Sequence, residues 1–161
     1  VRRGADAVSF HMNVGSDHEP EQIDDLAGVV ESASELGIPV LAMTYARGPG
    51  VDESDPEALA HAARVGEELG ADVVKTGYSG DPDSFEQVVE STARPVIAAG
   101  GSPRDDREML EQVRGVMDAG AAGVSMGRSV FQHETPGKMT AAVSAIVHDD
   151  AAVEAALAEL R

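Results

Sequence analysis

A glycine-led joint recurs along this chain and restricts its fold more than any other feature. Gly4-Ala5-Asp6, Gly70-Ala71-Asp72 and Gly120-Ala121-Ala122 resemble one another, and each leads into a short segment of β-branched and small apolar residues. Five such segments, at 7–12, 39–45, 72–76, 95–99 and 123–126, read as strands. Between them apolar residues fall at helical spacing: Ile23, Leu26, Val30 and Ala33; Leu59, Ala63 and Leu69; Leu110, Val113 and Met117. Asp55-Pro56 and Asp81-Pro82 each pair a capping carboxylate with a proline whose missing N–H costs nothing at the first helical position. Gly37, Gly70 and Gly120 close helices just before the next strand, as left-handed C-caps do.

A repeated βα unit requires a parallel sheet, either open and doubly wound or closed into an eight-stranded (β/α)8 TIM barrel. The first strand favours the barrel. Ser9, His11 and Asn13 make one face polar while Val8, Phe10 and Met12 make the other apolar, as expected of a strand lining a site inside and packing helices outside. A complete barrel takes at least about 200 residues, whereas these 161 supply five strands and a helical tail. The expectation is therefore one α/β domain over 1–161 holding strands four to eight, with three N-terminal βα units outside it. The opening Val1-Arg2-Arg3-Gly4, with no initiator Met, agrees with a piece of something longer. No linker or low-complexity tract interrupts the repeat.

Charge narrows the partners. Twelve Lys+Arg against 29 Asp+Glu give −17, and 42% hydrophobic residues supply a core despite that acidity. The excess repels phosphate backbones and anionic lipid, so nucleic acid and membrane are excluded as expected partners and small molecules remain. Only Lys75 and Lys138 are lysines, and an acidic, lysine-poor composition suits solubility in concentrated salt, pointing to a halophile's cytoplasm. The chain has no cysteine, hence no disulfide and no thiolate chemistry.

In barrels the reacting residues gather at the C-terminal ends of strands. Lys75, in Val73-Val74-Lys75-Thr76-Gly77, lies within an apolar strand, where desolvation favours the neutral amine that can attack a carbonyl. The competing reading is a lysine paired with a carboxylate or reaching to water. Tyr45, in Thr44-Tyr45-Ala46-Arg47-Gly48, could pass a proton to and from a substrate hydroxyl, or be a core tyrosine with a satisfied hydroxyl. Gly100-Gly101 and Gly127-Arg128 follow the fourth and fifth strands, where bare N–H groups and a guanidinium suit an anion, matching the common phosphate site after barrel strands seven and eight. His11 and Asn13 are read as supporting residues, His11 as a satisfied lining histidine. Loop 48–55 is read as solvated rather than as a lid. His61, His133 and His148 lack metal-ligand spacing, so no metal is expected.

These residues together resemble the archaeal class I aldolases, the DhnA-like family, over essentially the whole chain. The matching motifs are Gly-Ala-Asp-Ala-Val at 4–8, Tyr45-Ala46-Arg47-Gly48, Val73-Val74-Lys75-Thr76, Gly80-Asp81, Ala99-Gly100-Gly101, and Gly127-Arg128 with Phe131-Gln132. Asn13-Val14-Gly15-Ser16-Asp17 and Ala42-Met43-Thr44-Tyr45 are more similar to the family's 2-amino-3,7-dideoxy-D-threo-hept-6-ulosonate synthases than to its fructose-bisphosphate aldolases, which commonly carry a tryptophan where this chain has Met43. The resemblance implies a transaldolase-type transfer, without a cofactor, on an alternative route into shikimate and aromatic amino acids. Lys75 would form a Schiff base with a deoxy-keto-hexose phosphate, and the resulting enamine would attack L-aspartate semialdehyde. Tyr45 would be the proton donor. Tyr45, Ala46, Arg47, Lys75, Thr76 and Gly77 would line the substrate site, and Gly100, Gly101, Gly127 and Arg128 would hold phosphate. The family's general-base aspartate lies near the end of the first barrel strand, outside this chain. Homo-oligomeric rings, often decamers, are implied as well. Two alternatives stay open: a class I fructose-1,6-bisphosphate aldolase, and a sugar-phosphate-binding or assembly module without turnover.

Overall fold

The computed structural model describes residues 3–101 and 105–161. Five strands, β1 (Val8–Val14), β2 (Val40–Ala46), β3 (Val73–Thr76), β4 (Val96–Ala99) and β5 (Gly123–Ser125), form one parallel sheet in the order β1-β2-β3-β4-β5. Helices α1 (Glu19–Glu35), α2 (Pro56–Glu68), α3 (Pro82–Glu90) and α4 (Asp106–Asp118) connect them; α5 (Arg128–Phe131), α6 (Pro136–Asp149) and α7 (Val153–Ala158) follow.

This strand order decides between the two parallel architectures. A doubly wound sheet reverses its order partway, whereas right-handed crossovers between strictly sequential strands put every helix on the same face. Met12, Val40, Ala42, Val74, Val96 and Ala98 are accordingly buried beneath the helices. The alternate residues, among them His11, Met43, Tyr45, Lys75, Ile97 and Ser125, occupy the other face. The chain forms a partial (β/α) barrel, in agreement with the expected fold class.

The local signals acted as read. Gly37, Gly70 and Gly120 have φ of 66°, 94° and 80°, the left-handed conformation that ends a helix without a Cβ penalty. Asp55 accepts from the N–H groups of Glu57 and Ala58, and Asp81 from that of Ser84. Asp105 caps α4 through Glu108 N–H in the same way. The first strand runs past the expected end at 12, because its pairing with β2 continues to Val14↔Ala46. Within α2, Gly66 lets the helix settle onto the sheet: a Cβ there would come 3.2 Å from Val74, 3.3 Å from Thr44 and 3.4 Å from Ala42.

Candidate active site

The sheet register brings the candidate residues together on the helix-free face. Met43 pairs with Lys75, Lys75 with Ile97, and Ile97 with Gly123, forming one rung across four strands. Ala99 pairs with Ser125 one step nearer the C-terminal edge. The half-buried Lys75 extends over β4, and its Nζ donates to Ser125 Oγ at 3.1 Å. No described carboxylate pairs with Lys75, so the ion-paired reading is not what the structure shows. Burial holds its pKa below the ordinary lysine value.

Tyr45 is on the same face as Lys75, two positions beyond Met43 on β2. Burial raises its pKa, against an opposing pull from Arg47, so the phenol stays protonated and able to donate at neutral pH. The His11 ring lies 5.2 Å from the Tyr45 ring, and the Arg47 guanidinium lies 5.4 Å from its centroid. His11 Nε2 and Asn13 Oδ1 are 3.0 Å apart, while Asn13 N–H donates to Gln22 Oε1. His11, exposed in this structure, thus has a polar partner in Asn13.

Arg47 forms a fork with Glu53: Nε donates to Oε1 at 2.9 Å and Nη2 to Oε2 at 2.8 Å. Both side chains are about half exposed, so the pair orients the guanidinium more than it stabilises the fold. Tyr45, Arg47, Glu53, Gly77, Tyr78 and Gly101 help line a cleft of about 190 Å³ above the strand ends. A larger hollow of about 490 Å³ lies between Gly80, Asp81, Pro82 and α4, and Lys75 lines neither of the two.

The two glycine sites are neighbours. A Cβ on Gly100 would come 3.3 Å from Met126 Cα, which shows how closely the ends of β4 and β5 approach. Gly101 has φ 66°, Gly127 precedes α5, and Arg128 is exposed at its start. Buried Gln112 donates through Nε2 to the Ala99 carbonyl at 3.2 Å and so ties α4 to the end of β4. Thr76 is buried on the helix side of β3. The expectation that Thr76 lines the substrate site is therefore corrected: alternation turns it away from Lys75. Ala46, likewise buried under the helices through its side chain, offers only backbone to the site, although it borders the cleft.

Sequence reasoning missed Ser125, Glu53 and Gln112. Ser125 had one legible signal, its place between Gly123 and Gly127 on the strand that leads into the phosphate motif. Among the described residues, no group of three or more His, Asp or Glu is arranged to hold a metal ion, and no helix is long and apolar enough to cross a membrane.

The loops after β1 and β2 meet backbone to backbone, and Gly48 makes this possible. A Cβ there would lie 1.8 Å from Gly15 O and 2.8 Å from Ser16 N. Gly48→Ala must therefore push the loops apart and carry Arg47 with them. The expected destabilisation is about 1–3 kcal/mol, seen as an earlier thermal transition in high salt. An unchanged transition would mean that the two loops separate without cost.

The chain is similar to several known proteins. The chain is 68% identical over 158 residues to 2-amino-3,7-dideoxy-D-threo-hept-6-ulosonate synthase of Halobacterium salinarum, covering 98% of this chain and 60% of that protein. It is 44% identical to synthase 1 of that name from Archaeoglobus fulgidus, covering 96% of this chain and 57% of that protein. The halophilic source of the first relative agrees with the acidic, lysine-poor composition. A crystal structure of an archaeal fructose 1,6-bisphosphate aldolase superposes with a TM-score of 0.87 at 36% identity, over 91% of this chain and 59% of that one. The chain thus spans about 60% of the length of the relatives it matches. Residues 1–133 match the family described as DeoC/LacD family aldolase. With its sequential βα units and its half-buried strand lysine, the chain belongs to the DeoC/LacD aldolase family.

Proposed function

We propose that this chain carries the Schiff-base lysine and phosphate loops of a transaldolase-type synthase making 2-amino-3,7-dideoxy-D-threo-hept-6-ulosonate. The observation that carries the reading is Lys75: desolvated, without a carboxylate partner among the described residues, and on the same face as a protonated Tyr45. The 68% identity to the Halobacterium salinarum synthase supports the choice of reaction.

In this reading the neutral Lys75 amine adds to the ketone of a deoxy-keto-hexose phosphate and water is lost, leaving an iminium. Carbon–carbon cleavage then expels a phosphorylated three-carbon aldehyde, and the iminium takes up the electron pair of the broken bond as an enamine. The enamine carbon attacks the aldehyde of L-aspartate semialdehyde, and hydrolysis frees Lys75 with the product. Tyr45 supplies and recovers the proton at the reacting oxygen. Arg47, Gly77 and the backbone of Ala46 border the substrate, and Gly100, Gly101, Gly127 and Arg128 hold the phosphate. The chain forms the C-terminal five βα units of one barrel domain in a cytoplasmic homo-oligomer, whose size analytical ultracentrifugation of the full natural protein would give.

A second reading, fructose-1,6-bisphosphate aldolase, draws on the 38% identical class 1 aldolase of Halobacterium salinarum and on the structural superposition. Met43, on the same rung as Lys75, favours the synthase. The full natural protein should convert the keto-sugar phosphate with L-aspartate semialdehyde at least about tenfold faster in kcat/KM than it cleaves fructose bisphosphate. Dominant cleavage of fructose bisphosphate, with aspartate semialdehyde ignored, would reverse the choice.

A further inference from the structure

We infer that Ser125 is a catalytic group of this site, its hydroxyl holding the Lys75 nitrogen in position for carbonyl attack and then accepting the N–H of the iminium. The inference rests on the Schiff-base reading above and adds a residue to it. Lys75 and Ser125 stand on β3 and β5 with β4 between them, and the amine crosses that strand to reach Ser125 Oγ at 3.1 Å. On β4 the amine has Ile97 beside it as register partner and the small Ala99, register partner of Ser125, one position further along that face. A long flexible side chain is thereby held at its reacting end by a group on another strand.

The partner's chemistry matters as much as its place. A carboxylate would hold the ammonium and suppress the nucleophile, whereas a neutral hydroxyl has two roles open to it. It accepts from the ammonium, and it can donate its own hydrogen to the lone pair of the neutral amine. When the nitrogen adds to the ketone, a C–N bond forms and the carbonyl oxygen takes a proton. Loss of that oxygen as water, with one further proton taken from solvent, leaves an iminium with a single N–H. Ser125 Oγ is placed to accept that N–H and so to set the plane of the C=N bond before cleavage.

On the same face β1 offers Ser9, His11 and Asn13, and β2 offers Met43 and Tyr45, with the Arg47–Glu53 ion pair just past its end. Among the described residues of β4 and β5 that face carries Ile97, Ala99 and Gly123 besides Ser125. No described carboxylate bonds to Lys75, so removal of the hydroxyl is not masked by a second direct partner.

The test is borohydride trapping of the full natural protein with the keto-sugar phosphate, followed over pH and mapped by peptide mass spectrometry. Thr and Val at position 125 have nearly the same shape and differ in the hydroxyl. Ser125→Thr is expected to trap at close to the natural rate. Ser125→Val and Ser125→Ala are expected to trap about tenfold or more slowly at saturating pH, because the nucleophile loses its orientation. Their midpoint should also move to lower pH, because the ammonium loses an acceptor. Circular dichroism identifies any variant that has not folded, and the Thr–Val pair compares equal bulk. If the natural protein gives an adduct on Lys75 and the Thr and Val variants share one rate and one midpoint, the role of Ser125 is refuted while the Schiff-base reading stands. If the natural protein gives no adduct on Lys75, both fall.

Discussion

Lys75→Ala is expected to abolish the reaction while leaving the fold intact. Turnover of the full natural protein should fall by at least about 10⁴-fold, since the loss removes the covalent step itself. The borohydride adduct should vanish with it. Removing a half-buried ammonium also relieves a desolvation cost, so the thermal transition should stay where it is or rise. Binding of inorganic phosphate, followed by calorimetry, should persist, because Gly100, Gly101, Gly127 and Arg128 are on other strands' ends. The pH profile has a defined sign. Burial lowers the Lys75 pKa, so the neutral amine is present at lower pH than for an ordinary lysine, and trapping should reach its plateau correspondingly earlier. Undiminished turnover in the alanine variant would end the Schiff-base assignment. Sugar-phosphate binding without an adduct in the natural protein would favour the non-catalytic binding module.

The largest effect on stability is expected from Phe85→Ala. Phe85 is fully buried where α3, the sheet and α4 meet, in contact with a cluster that includes Leu59, Val74, Val96 and Val116. Its ring meets the Tyr78 ring edge-on at 5.1 Å, so the same side chain also supports one wall of the cleft. Truncation should cost about 3–5 kcal/mol, measured by denaturant unfolding in high salt. A net charge of −17 adds self-repulsion that salt screens, so the variant should lose its folded state first at low ionic strength. A loss below about 1 kcal/mol would mean that the neighbouring helices collapse into the vacated space.

Local chemistry in the sequence determined the repeat and the desolvated setting of Lys75. Gly37, Gly70 and Gly120 end helices because only a residue without Cβ takes their positive φ at no cost, and Asp55 and Asp81 start helices because their carboxylates reach unpaired N–H groups. Such effects act within a few residues, so they are legible without a fold. Lys75 was legible for the same reason: an apolar strand around a scarce lysine already implies desolvation. Alternation also put Ser9, His11 and Asn13 on one face of their strand, and Thr76, which the family resemblance assigned to the site, obeys the same alternation and points away from Lys75.

Only the tertiary structure decided what depends on separations of tens of residues. The sequential strand order, which excludes the doubly wound sheet, is a fact about pairing between segments. Ser125 reaches Lys75 from 50 positions away, across the intervening strand β4. Gly48 matters because Gly15 lies against it, and neither residue records the other. Sequence patterns carry the period of a strand and the cap of a helix, whereas the partner of a buried amine is set by sheet register, which emerges only when the strands pair.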